Sequence, residues 1–121
     1  MKVNQAHGSD AGEDSEHHLY EAIASIRTAE EAENFFVDLC TPAEIQAMAD
    51  RWRVVFHIKN GKPYRQIYEE TGVSATTVGR VARCLVLGKD GYNVIYNRIE
   101  KIKNEKRNKI KNSNTKKRAS K

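Results

Sequence analysis

The stretch YRQIYEETGVSATTVGRVARC, residues 64–84, gathers side chains suited to reading a nucleic acid. Arg65 carries a planar fork of donors that fits guanine or a phosphate, and Thr76 can donate to a base edge or set its methyl against that of thymine. Tyr68, Ser74 and Arg80 add polar groups, and Gly79 lets a helix come close to the bases. If Ser74 caps a helix, then Ala75, Thr76, Gly79 and Arg80 form its exposed N-terminal face, with Arg65 and Tyr68 on the preceding helix beside it.

Other chemistries find little support. His17, His18, His57, Cys40 and Cys84 do not fall at metal-ligand spacings. Gly61 and Gly72 bound helices rather than build a phosphate loop, and no nucleophile has a recognisable base nearby, so no enzyme is expected. Cys40 and Cys84 make no C-x-x-C pair, which points to a reducing, cytoplasmic setting. The opening MKVNQAHGSDAGEDSEHH has no apolar core of a signal peptide, and no run is apolar enough to span a membrane.

Charge is divided along the chain. Residues 1–50 hold two basic against eleven acidic side chains, and residues 51–121 hold nineteen against five. A polyanion is the expected partner of the second part. With 121 residues and 13.8 kDa the chain has one domain's worth of sequence, and a second subunit would help bury its apolar surface.

The elements that must position the reading face are helical almost throughout. Residues 1–15 are polar, acidic and aperiodic and read as a disordered arm. Leu19, Ala22, Ile23 and Ile26, then Ala32, Phe35, Phe36 and Leu39, recur at helical spacing, with a break at Thr28. The next helix has the sharpest start: Thr41 as cap, Pro42 at the first position, Glu44 closing a capping box, and Cys40 with Ile45 as a hydrophobic staple. Its apolar stripe is Ile45, Met48, Ala49, Trp52, Val55 and Phe56, and Asn60-Gly61-Lys62-Pro63 ends it. A short helix over 63–71, a turn at Gly72 and a helix from Ser74 then form a helix-turn-helix over 63–86, with Ile67, Val73, Val78 and Val81 packing the pair. Thr71 stands where an apolar residue is usual. Tyr92, Ile95, Ile99 and Ile102 mark a last helix, and residues 106–121 read as a basic, disordered tail. The expected class is all-α with about six helices.

The segment LCTPAEIQAMADRWRVVFHIKNGKPYRQIYEETGVSATTVGRV resembles the Trp repressor superfamily, and most closely its tryptophan-repressor-related branch. The resemblance runs over residues 16–105. It implies an intertwined homodimer of six-helix subunits that represses by binding double-stranded DNA at an operator with two-fold symmetry. For the tryptophan-responsive members it implies a ligand held by a threonine and two arginines, matched here by Thr41, Arg51 and Arg80, with carbonyls lent by Asp38 and Cys40. The glycine that follows the second arginine in those members is Val81 here, and the serine three residues further is Cys84.

An isopropyl group added to a close-packed site costs about 1–3 kcal/mol, which weakens a ligand there by roughly ten- to a hundredfold. Val81 thus supplies the wedge that the indole supplies in responsive members, and the expectation is a regulator with no cofactor, L-tryptophan included. A competing reading keeps the helix-turn-helix as a packing unit, an ordinary αα-hairpin, and assigns nucleic-acid or protein binding to the basic tail.

Overall fold

The computed structural model describes the backbone of residues 4–119 and the side chains of residues 14–113. Six helices and no strand occur among the described residues: α1 (Asn4–Ala24), α2 (Ala29–Leu39), α3 (Pro42–Lys59), α4 (Tyr64–Thr71), α5 (Ala75–Leu87) and α6 (Gly91–Ala119). They group into two compact units, one ending at Ile45 and the other beginning at Gln46.

In the first unit, local hydrogen bonds set the helix boundaries. Thr28 caps α2 by accepting from the Glu31 amide at 3.0 Å, while the Glu31 carboxylate accepts from the Arg27 amide at 3.0 Å. At the start of α3 the capping box is reciprocal: the Thr41 hydroxyl accepts from the Glu44 amide at 3.2 Å, and Glu44 accepts from the Thr41 amide at 2.8 Å. Both starts are where the sequence puts them.

The second unit is built on a small core. Val54, Val55, Ile67, Val78 and Val81 are fully buried and Val73 nearly so. Val54 is absent from the stripe expected for α3, whereas Ala49, included in it, is exposed. Both adjacent valines of α3 belong to the buried cluster that Ile67 of α4, Val73 of the turn and Val78 and Val81 of α5 complete. An aromatic layer joins α3 to α6: Trp52 lies 6.2 Å from Tyr92 and Phe56 lies 5.2 Å from Tyr96, ring centre to ring centre. At their junction Asn93 donates to the Leu85 carbonyl and to Asp90, and accepts from Lys59.

Both ends depart from expectation. Helix α1 reaches back to Asn4 and α6 runs on to Ala119, across residues 4–15 and 106–119 that read as disordered. Proline is absent from both stretches, and the Lys and Arg of residues 106–119 are good helix formers once a nucleus exists. Residues 1–3 and 120–121 lie outside the described residues.

Candidate nucleic-acid interface

The turn between α4 and α5 is fixed from three sides. Gly72 takes a φ of 75°, the left-handed conformation that a side chain resists. Thr71 explains its own presence: its hydroxyl donates to the Ile67 carbonyl at 2.7 Å and accepts from the Val73 amide at 3.0 Å, so one side chain ties the end of α4 to the turn. From α3, Arg53 donates to the Thr71 carbonyl at 3.2 Å and to Asp50 at 3.0 Å. That link was not legible in the sequence, because an i+18 contact leaves no periodic trace.

Ser74 then caps α5, accepting from the Thr77 amide at 3.1 Å, and the two hydroxyls are 3.0 Å apart. Its side chain is therefore committed to starting the helix. Below the cap α5 has two faces. Val78 and Val81 are fully buried on one, while Ala75, Thr76 and Arg80 are exposed on the other. Gly79 lies between them, and a Cβ built there meets nothing within 4 Å.

On α4, Arg65 is exposed, with its side chain 83% accessible and a 3.3 Å pair to Glu69. A pair this exposed holds the guanidinium weakly, leaving it able to exchange Glu69 for a base or phosphate. Tyr68 is half-buried and packs against the core, so its ring is partly a structural element.

Arg51 is half-buried and lines a polar recess of about 250 Å³ with Asp50, Gly72, Val73, Ser74 and Thr77. The recess opens at the amino end of α5, where the Arg51 guanidinium and the Asp50 carboxylate line it together and the Thr77 amide is already taken by Ser74. Thr77 was missed by sequence reasoning, although its place three residues after a serine cap is a usable signal. Of the residues matched to a ligand site, Thr41 belongs to the first compact unit and Arg51, Arg80 and Val81 to the second. Thr41 is engaged in its capping box and Val81 is fully buried.

A cluster behind α4 braces it against α3. Lys62 donates to Glu70 at 2.7 Å and Gln66 donates to the same carboxylate at 2.6 Å, with His57 Nδ1 3.9 Å away. The bond from Lys62, then that from Gln66, holds the Glu70 carboxyl below the usual carboxylate range. A lowered carboxyl adds stability that is present above its unfolded value and is lost as pH falls through its folded one. Urea midpoints of the native chain and of Glu70→Gln should therefore differ most above pH 4.5 and converge as the pH drops below it. A difference that does not vary with pH would show that the charge of Glu70 is irrelevant.

Among the described residues no helix is long and apolar enough to cross a membrane, and no three His, Cys, Asp or Glu side chains stand together as metal ligands.

Comparison with known proteins agrees with this architecture. Residues 15–100 match the family described as Trp repressor protein. The chain is 35% identical over 105 residues to the uncharacterized protein YerC of Bacillus subtilis, a match spanning 87% of this chain and 96% of that one. It is similar to the solved structure of a TrpR like protein from Eubacterium eligens, with a TM-score of 0.68, 36% identity and coverage of 72% of this chain and 90% of the other. A candidate Trp repressor from Staphylococcus aureus gives a TM-score of 0.65 at 37% identity, over 83% of this chain and 95% of the other. The chain belongs to the Trp repressor family, a family of DNA-binding regulators built around a helix-turn-helix.

Proposed function

We propose that the protein is a sequence-specific transcriptional regulator, a homodimer that represses by occupying a two-fold symmetric operator, and that it does so without L-tryptophan as corepressor. The division of α5 into a buried valine face and an exposed face of Ala75, Thr76 and Arg80, with half-buried Gly79 between them, carries this reading. A helix held so firmly from behind is a rigid probe for the major groove. In this reading Thr76 and Arg65 contact base edges, and Arg51 and the start of α5 contact phosphates.

Apolar surface supports the dimer. Val86 and Leu87 at the end of α5 are 80% and 76% exposed, and Trp52, Cys84, Tyr92 and Ile95 line an apolar groove of about 500 Å³. A second copy that covers this surface removes it from water and sets two recognition helices at a fixed spacing. Independence from tryptophan rests on Val81, which fills the space between α5 and the rest of the core.

Gly79 supplies the test. Glycine inside a helix costs about 1 kcal/mol relative to alanine, and nothing within this chain requires it. Gly79→Ala should raise the unfolding free energy by about that amount while weakening DNA binding by about 1–3 kcal/mol, the usual cost of overpacking a close interface. Thermal melts and binding titrations on the same samples read both. Unchanged DNA affinity in the stabilised variant would remove this face of α5 from the interface.

A further inference from the structure

We propose that the distal part of α6 is a second DNA-binding element, one that grips the phosphate backbone without reading sequence. The inference deepens the proposed function and rests on it for the identity of the polyanion. The segment lies outside the part of the chain that matches the family and in the same compact unit as α4 and α5.

Charge and exposure carry the argument. Residues 101–113 are all exposed and hold six basic side chains against one carboxylate, Glu105. At about 100° per residue, Lys101, Lys106, Arg107 and Lys109 are spread around the helix rather than along one face. A helix charged on every side has no preferred face for a protein partner, but it attracts a line of phosphates in whatever rotation it meets them. DNA presents such a line, with a negative charge roughly every 1.7 Å along its axis.

Helix energetics point the same way. Lys103 with Arg107 and Arg107 with Lys111 are like charges four residues apart, and Lys103 with Lys106 and Lys106 with Lys109 three apart; each spacing destabilises a helix by a few tenths of a kcal/mol, and Glu105 offsets only part of this through Lys101 and Lys109. Phosphates lying alongside relieve that repulsion. From Asn104 to Ala119 the helix is about 24 Å long, a length matched by roughly seven base pairs.

The test keeps the whole chain and replaces Lys101, Lys106, Arg107 and Lys109 with glutamine, which preserves helix propensity. Native and substituted proteins are titrated, over a range of salt concentrations, against a duplex carrying the preferred site, a scrambled duplex of equal length and a hairpin RNA. A circular dichroism spectrum checks that both proteins are folded. The expected result is a similar loss on both duplexes, an unchanged ratio between them, and a plot of log affinity against log salt that is shallower by about three to four for each of the dimer's two tails that lies on the duplex. Glu105→Gln should move affinity the opposite way. An unchanged slope, a loss confined to the preferred site, or a loss confined to RNA would each overturn the proposal. If no preferred site exists, two equal affinities with a reduced slope would leave this element standing while removing the sequence-specific reading.

Discussion

Val81→Gly should lower the unfolding free energy by about 3 kcal/mol and abolish high-affinity DNA binding in the same step. Removing three buried carbons forfeits roughly 2–2.5 kcal/mol of transfer energy, and glycine in a helix interior adds about 1 kcal/mol. The residue touches the cluster of Val54, Val55, Ile67, Val73 and Val78, so the void opens where α5 is held at its angle to α3 and α4. A loosened α5 presents its face over a range of orientations, and the ordering cost reappears as weaker binding. The native chain carries its own wedge and should therefore melt at the same temperature with and without L-tryptophan. A ligand occupied at a hundred times its Kd would add about 2.7 kcal/mol, so a clear rise in Tm of the native chain would contradict this account.

Arg65→Ala should cost about 1–3 kcal/mol on the preferred duplex, five- to a hundredfold or more in affinity, with far less change on scrambled DNA. The prediction follows from position: the side chain is exposed on α4, in the proposed DNA-reading surface, and its pair with Glu69 does not bury it. Stability should change little for the same reason, since an exposed pair is worth at most about 1 kcal/mol. Equal losses on both duplexes would mean that Arg65 touches phosphate only, and would pass the reading role to Thr76. Competition binding with the two duplexes at one salt concentration separates these outcomes.

Local chemistry made much of this fold legible. Thr41-Pro42-Ala43-Glu44 announces a helix start with its own hydrogen bonds, Ser74 does so for α5, and Gly72 marks a conformation that other residues avoid. Ile67, Val73, Val78 and Val81 follow from their spacing, because a packed pair of short helices has only one apolar seam. What escaped depends on neighbours far away in sequence. Val54 is buried by helices that arrive later in the chain, and Arg53 reaches a carbonyl eighteen residues on. The stripe on α6 divides in the folded chain: Tyr92 joins Tyr96 against α3, whereas Ile95 and Ile102 remain over 40% exposed.

The two helix extensions escaped for a different reason. Amphipathic periodicity detects helices that pack, and α1 before Asp14 and α6 after Lys103 show no such stripe. The polar outer side of α5 follows from residue type, yet only the structure shows that Ser74 is committed to a cap while Thr76 is exposed. Arg51 shares a polar recess with Ser74 and Thr77, a juxtaposition across some twenty-five residues of sequence that no local pattern announces.

The most direct test of the central claim is a selection from randomised duplex DNA by the purified full-length protein at a stated near-physiological salt concentration, with and without L-tryptophan. The expected result is one two-fold symmetric site enriched equally in both conditions. Enrichment only with tryptophan would show that Val81 does not replace the ligand, and no enriched site in either condition would contradict sequence-specific regulation by this face of α5.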